Sequence, residues 1–240
     1  MKLHNFVLSI CSLGLVGVLT SCDSGDIYPD ESSNNGLKAN FVLSFENVDA
    51  WPTSTQYNVV LASYSNSDAS TPVSYRKITT KPKEGDTISV SLANVVNADY
   101  VGVAIQDAST RDCVYLFSKF SVDGVNTDSV TIKKHIDLAT IERLQAQLFY
   151  NCTSCHGASS RVAASLNLTD GNSYDNLVGV SSYKDAAYMR VMPGNPDSSY
   201  IVKVLEGSAD SIHYDHSKNV QMRSTKDDIK LLRAWISVLK

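Results

Sequence analysis

Apolar residues recur at every second position through much of the first half of the chain. These runs are Phe41, Leu43, Phe45; Tyr57, Val59, Leu61; Ile88, Val90, Leu92; Val101, Val103, Ile105; Cys113, Tyr115, Phe117; and Val130, Ile132. Clusters of Gly, Asn, Asp and Ser separate them at intervals typical of antiparallel sheets. We therefore predict about seven strands between residues 37 and 136, forming an all-β sandwich of immunoglobulin-like size.

The apolar period changes to three and four residues after Ile136, which indicates helices. Two stripes show it: Leu138, Ile141, Leu144, Leu148, and then Ile229, Leu232, Ile236, Leu239. Thr225 and Asp228 resemble a capping box, so the final helix is expected to begin near Lys226. Glycine and proline mark the stretch between the helices as rich in loops. Such a stretch is expected where a large cofactor replaces part of the hydrophobic core.

Composition narrows the class of protein. The chain has 240 residues, 43% of them hydrophobic and 19% charged, which suits a folded chain with two domains. The formal net charge is −4, and no Lys/Arg cluster occurs. The charge pattern therefore does not favour binding to nucleic acid, and we expect no nucleic-acid partner.

The N-terminus has the pattern of an export signal. Lys2 and His4 precede an apolar run from Phe6 to Leu19, which is too short to span a bilayer. The run ends in Leu-Thr-Ser-Cys, which resembles the lipobox of bacterial lipoproteins. This resemblance implies that residues 1–21 are a signal peptide and that Cys22 is lipidated. Residues 22–36 are polar and are expected to form a flexible tether.

The resemblance to lipoproteins also implies a location. Acyl chains on Cys22 would hold the protein at a membrane surface without crossing it. The expected site is the bacterial cell envelope, with the outer membrane favoured over the inner one. Whether the protein faces the periplasm or the cell surface stays open.

Three cysteines remain after processing, and two of them form a motif. Cys152-Thr153-Ser154-Cys155-His156 has the c-type haem attachment pattern, in which two thiols bind the vinyl groups and the histidine lies beneath the iron. A zinc site would need a second ligand pair, for which only His213 and His216 are candidates. A thioredoxin-like redox pair would need a βαβ context, which the sequence does not have. Cys113 lies in an apolar run and is expected to be an inert thiol.

Further motifs extend the resemblance. The run from Thr140 to Lys240 resembles a small class I cytochrome c domain like those of bacterial surface and periplasmic proteins. The counterparts of the family's motifs are Gly157 after the histidine, Leu166 with Leu168, Pro193 to Ser199, Met222, and Trp235 with Ile236. The resemblance implies an all-α cytochrome c domain over residues 137–240. It also implies one covalent haem c on Cys152 and Cys155, with His156 as an iron ligand.

The ligand on the other side of the iron is assigned to Met222. Its position just before the final helix matches the family, although Arg223 follows it where relatives usually have proline. His213, His216 and Met192 stay open as alternatives.

The axial ligands determine the expected activity. His/Met ligation closes both faces of the iron and raises the reduction potential, which predicts an electron carrier without catalytic residues. An open sixth position would instead allow a haem enzyme or sensor, with Asp215 and His216 as distal groups. A third possibility is a binding lipoprotein whose sandwich, residues 37–136, recognises a ligand. The sequence does not identify a redox partner.

Overall fold

The computed structural model describes residues 36–65, 70–157, 162–210, 214–218 and 226–240. The predicted signal peptide, the lipidated Cys22 and most of the tether lie outside these ranges. So do His213, Met222 and the predicted cap Thr225.

Strands dominate the first part of the described chain, and short helices follow. The strands are β1 (Leu37–Glu46), β2 (Tyr57–Tyr64), β3 (Ser74–Lys77), β4 (Thr87–Val95), β5 (Tyr100–Asp107), β6 (Cys113–Ser121) and β7 (Ser129–Asp137). The helices are α1 (Ile141–Gln147), α2 (Ser173–Leu177), α3 (Tyr200–Glu206) and α4 (Lys226–Val238). Short 3-10 helices span Val48–Ala50, Phe149–Cys152, Ala163–Ser165 and Pro196–Ser198. We call residues 36–137 the sheet half and residues 138–240 the C-terminal half.

The strands form two sheets with orders β4-β1-β7 and β3-β2-β5-β6. β1 is the centre of the first sheet, antiparallel to β4 and parallel to β7. Its alternating residues Phe41, Leu43 and Phe45 are fully buried, which is the arrangement that the period of two predicts. The inward faces of both sheets share one cluster of buried apolar side chains.

The second sheet is buried on both faces of its central strands. Val59 and Leu61 of β2 contribute to the main core, whereas Val60, Ala62 and Tyr64 form a second cluster on the opposite face. The edge strand β3 was not among the predicted runs. It has four residues, none of them buried, so its pairing with β2 leaves no alternating pattern in the sequence.

The predicted fold class is wrong in its C-terminal part. The described residues from 138 onward do not form an all-α cytochrome c domain. They contain helices of 5–13 residues joined by 3-10 turns and isolated bridges such as Val178 with Val191. Glycines with positive φ, including Gly179 and Gly194, bend the chain at turns where most residues would be strained. The chain as described is therefore mostly two sheets with a few short helices.

Both halves share one hydrophobic core. The main cluster extends from Phe41 in the sheets through Leu144 in α1 to Trp235 in α4. The described residues from 36 onward accordingly belong to one compact unit. The boundary predicted at residue 137 stays a prediction, and it would cross this core.

A buried arginine joins the halves. Arg143 of α1 has no exposed surface and donates to the carbonyl oxygens of Ala50 (3.1 Å) and Leu138 (2.7 Å), and to Gln147 Oε1 (3.1 Å). Gln147 in turn donates to Asp228 Oδ1 of α4 at 2.7 Å. Burial lowers the pKa of Arg143 to about 10, while Asp228 opposes this shift, so the guanidinium keeps its charge at neutral pH.

The start of α4 is also tied to the sheet half. The carboxylate of Asp227 accepts from the backbone N–H groups of Thr53 (2.8 Å) and Ser54 (3.0 Å). Lys230 donates to the carbonyl oxygen of Trp51 at 2.9 Å. Among the described residues, no helix has the length and apolar character needed to cross a membrane.

Candidate cofactor site

The cysteine motif lies at the end of α1. Thr140 caps this helix by accepting from Arg143 N (3.2 Å), and the chain then continues through the 3-10 turn Phe149–Cys152. The carbonyl oxygen of Cys152 accepts from the backbone N–H groups of Cys155 (3.2 Å) and His156 (2.9 Å). One turn therefore holds both thiols and the imidazole together.

Gly157 allows this turn to close. A Cβ at this position would lie 2.4 Å from the carbonyl oxygen of Thr153, a distance that side chains do not tolerate. The glycine after the histidine therefore has a steric role, independent of any family resemblance.

A backbone contact fixes the tautomer of His156. Its Nδ1 lies 3.1 Å from the carbonyl oxygen of Ala163, seven residues later. Because a carbonyl oxygen only accepts, Nδ1 carries the proton and Nε2 keeps a lone pair in the neutral ring. Metal-binding histidines commonly use their second nitrogen in this way. Burial lowers the pKa of His156, and His216 lowers it further. Hydrogen bonds to the backbone of Ala163 and Leu166 oppose this shift without reversing it, so the neutral form is favoured.

Arg190 holds the segment that contains Ala163. Its guanidinium donates to the carbonyl oxygens of Asn176 (2.8 Å), Ala164 (3.0 Å) and Ser165 (3.1 Å). Ala164 and Ser165 have φ values of 53° and 51°, a left-handed conformation that is unfavourable for both residue types. Arg190 thus stabilises a strained turn beside His156.

A cavity of about 770 Å³ opens against the motif. Cys152, Cys155 and His156 all line it. Most of the remaining wall is apolar, with Leu148, Phe149, Leu166, Leu168, Leu177 and Leu205 among its residues. Cofactor sites are typically concave, mostly apolar and roughly 300–1,000 Å³ in volume.

The residues around this cavity fit a covalently attached haem. Two thiols and an imidazole from one turn face the same space, and the Nε2 of His156 is available as a ligand nitrogen. Cys152 is half-buried and Cys155 is exposed, so one attachment point lies inside the wall and the other at its rim. The apolar wall suits a porphyrin face.

Of the alternative iron ligands, the structure places one at the cavity and one away from it. His216 lines the cavity, and the centroid of its ring lies 6.1 Å from that of His156. Met192 does not line it. Met222 and His213 lie outside the described residues, so the assignment of Met222 stays a prediction.

Asp215, weighed as a distal acid, is engaged elsewhere. Its carboxylate accepts from the hydroxyl and backbone N–H of Ser217 and lies 3.4 Å from Lys218 Nζ. The hydrogen bond from the Ser217 hydroxyl lowers the pKa of Asp215. Asp215 is also absent from the cavity wall.

The zinc interpretation of the cysteines stays open, because one of its candidate ligands, His213, lies outside the described residues. Within the described ranges, no group of three or more His, Cys, Asp or Glu side chains could hold a metal ion. Burial raises the pKa of Cys113, although a hydrogen bond with Tyr64 opposes it, so this thiol stays protonated at neutral pH.

The sequence did not point to two residues of this site. Arg190 and Ala163 act through backbone carbonyl contacts, and such contacts leave no motif. A weak signal for Arg190 is its position as a lone cation between apolar residues, Val191 and Met192 on one side and Met189 on the other.

Comparison with known proteins adds no relative. No protein-family model, no curated protein and no solved structure matches the chain. Any statement about function therefore depends on the residues of the chain and on the arrangement of this cavity.

Proposed function

We propose that the chain is a lipid-anchored electron carrier with one covalently bound haem c. Cys152 and Cys155 would form the thioether bonds, and Nε2 of His156 would bind the iron. A haem held in this way supplies one-electron chemistry, with a potential that its axial ligands and surroundings set. The acyl chains on Cys22 would keep the carrier at the surface of an envelope membrane, with the outer membrane favoured.

One observation carries this proposal. The two cysteines and the histidine of the attachment motif line a single apolar cavity of about 770 Å³. A concave, mostly apolar space beside the attachment residues is what a covalently bound haem requires. The proton on Nδ1 of His156 strengthens the argument because it leaves Nε2 as the ligand nitrogen.

The cavity wall contains only one of the two groups considered for acid–base catalysis. His216 lines it, whereas Asp215 does not. Cys155 is exposed, which brings one attachment point to the surface where a partner protein can approach. These residues do not identify the partner protein.

The attachment can be tested by expression with a cytochrome c maturation system. Wild type is expected to stain for haem on a denaturing gel, because thioether bonds survive denaturation. Cys152→Ala/Cys155→Ala should not stain, whereas the matched control Cys113→Ala should stain like wild type. Staining of the double variant at the wild-type level would contradict the proposal.

Electron carriage has its own test. Reductive titration of the holoprotein should take up one electron per chain. Cyanide and carbon monoxide should leave the visible spectrum unchanged, because both faces of the iron are occupied in a carrier. Rapid binding of either ligand would indicate a haem enzyme or sensor instead.

The anchor is tested through Cys22→Ala. In detergent phase separation, wild type is expected in the detergent phase and the variant in the aqueous phase, since the acyl chains supply the apolar area. Equal partitioning of both chains would remove the lipid anchor from the account.

A further inference from the structure

The geometry points to His216 as the second axial ligand of the haem, in place of Met222. This inference rests on the proposed function, because it concerns the same cavity and the same iron. It changes the expected ligand set from histidine and methionine to two histidines.

The spacing of the two imidazoles carries the inference. His156 and His216 line the same cavity, with ring centroids 6.1 Å apart and ring planes inclined by 35°. Nitrogen–metal bonds of imidazole are of the order of 2 Å. Two such bonds, plus the distance from each nitrogen to the centre of its own ring, add up to a separation close to the observed one. The separation of the rings is therefore the one expected for two imidazoles bound to a single iron.

Both rings have the tautomer that this arrangement requires. Nδ1 of His216 lies 2.8 Å from the carbonyl oxygen of Tyr214, as Nδ1 of His156 lies 3.1 Å from that of Ala163. Each carbonyl oxygen can only accept, so each Nδ1 carries the proton. Each Nε2 is left with the lone pair that binds a metal.

The chain around His216 fixes the orientation of its ring. The ring of Tyr214 packs edge-on against it, with centroids 5.0 Å apart. The carboxylate of Asp215 accepts from the backbone N–H of Ser217 at 3.1 Å, which holds the turn in which His216 lies. Ser217 is buried, and its hydroxyl would lie 2.9 Å from a Cβ added at Gly207. The segment thus packs closely against the end of α3.

Other donors among the described residues fit less well. Met192 does not face the cavity. Its backbone N–H donates to Ser199 Oγ at 2.9 Å, outside the cavity wall. Lys184 does line the cavity, but its ammonium lies over the ring of Tyr183, 5.9 Å from the centroid. An ammonium would also have to lose a proton before it could bind iron.

The test uses the full chain matured with haem and compares His216→Ala, Met222→Leu and His213→Ala. We expect wild type to be low-spin in the ferric state, without the weak far-red sulfur-to-iron band. His216→Ala should become high-spin and bind cyanide, while keeping covalent haem on the denaturing gel. Met222→Leu and His213→Ala should keep the wild-type spectrum.

Two further measurements separate ligation from a folding defect. Added imidazole should restore the low-spin spectrum of His216→Ala, which a misfolded chain would not allow. His216→Met should gain the sulfur-to-iron band and a higher reduction potential, because a thioether ligand raises it. A low-spin spectrum in His216→Ala, with loss of ligation in Met222→Leu or His213→Ala, would overturn this inference and leave the proposed carrier intact. A wild-type chain without covalent haem would overturn both.

Discussion

The two halves of the molecule obtain their order from different sources. In the sheet half, each strand has a hydrogen-bonded neighbour, and residues such as Leu43 and Ile105 are fully buried. In the C-terminal half, helices of 5–13 residues surround a cavity of about 770 Å³. Apolar side chains fill the space between the sheets, whereas the cavity leaves space in the other half for a large apolar group.

This difference explains why the C-terminal half needs external support. Isolated helices shorter than about 12–15 residues are marginal in water, so packing must stabilise them. Here the packing comes from the sheet half, through Arg143 and Asp227, and on the proposed function from the haem. The following predictions test this division, starting with the largest expected effect.

Arg143→Met should have the largest effect, because it breaks the buried connection between the halves. It leaves the carbonyl oxygens of Ala50 and Leu138 without this donor and removes the buried cation that interacts with Asp228. We expect the free energy of unfolding in urea to fall by about 3–5 kcal/mol. Arg233→Met, which removes only surface ion pairs, should cost less than about 1 kcal/mol and is the matched control. Equal losses in the two variants would show that the connection is not important.

Loss of haem should affect one half only. In Cys152→Ala/Cys155→Ala, we expect amide hydrogen exchange in residues 162–210 to become faster by on the order of 100-fold, equivalent to about 2.7 kcal/mol. Exchange in β1, β2 and β5 should stay unchanged, because no residue of these strands lines the cavity. Cys113→Ala serves as the control. Faster exchange throughout the sheets would mean that the halves do not differ in this respect.

Arg190→Met tests the turn beside His156. The variant loses three hydrogen bonds from a charged donor to backbone carbonyl oxygens, so the unfolding free energy should fall by about 2 kcal/mol. The fraction of chains with covalent haem should also decrease. Arg76→Met, which removes one exposed bond to the carbonyl oxygen of Ser91, should cost less than about 1 kcal/mol. If Arg190→Met changed neither the free energy of unfolding nor the haem content, the turn would not depend on this side chain.

Asp107 gives the smallest effect, in the sheet half. Partial burial raises its pKa, but hydrogen bonds from Ser109 and Thr110 outweigh this and lower it below 3.8. The folded state therefore prefers the carboxylate, and this contribution is present above pH 3.8 and is lost as the pH falls through the lower folded-state pKa. Asp107→Asn should be less stable than wild type at neutral pH, with a difference that shrinks in acid. A difference independent of pH in urea titrations would contradict this origin.

The sequence could predict those elements whose pattern is local. Alternation in Phe41, Leu43 and Phe45 placed β1 correctly, and the apolar stripe before the C-terminus placed α4, which begins at Lys226. The strand Ser74–Lys77 was not predicted, because none of its four residues is buried and its sequence therefore shows no alternation of apolar and polar residues. The pairing of strands was also out of reach, since the parallel contact of β1 with β7 joins segments far apart in the chain.

The site was predictable in its attachment motif and not in its surroundings. Cys152, Cys155 and His156 form a contiguous signature, which the structure places on one wall of a cavity. The approach of His216 to His156 joins residues that are far apart in the chain, and spacing in the sequence does not encode this. The all-α expectation failed for a similar reason, because Gly- and Pro-rich segments such as Pro193 to Ser199 form turns rather than long helices.

The most direct test of the account is the intact mass of the full chain after expression with a cytochrome c maturation system, followed by peptide mapping. The account predicts an added mass of one haem, located on the peptide that contains Cys152, Cys155 and His156. It also predicts no added haem in Cys152→Ala/Cys155→Ala. A matured chain without added haem, or with the haem on another peptide, would contradict the central claim.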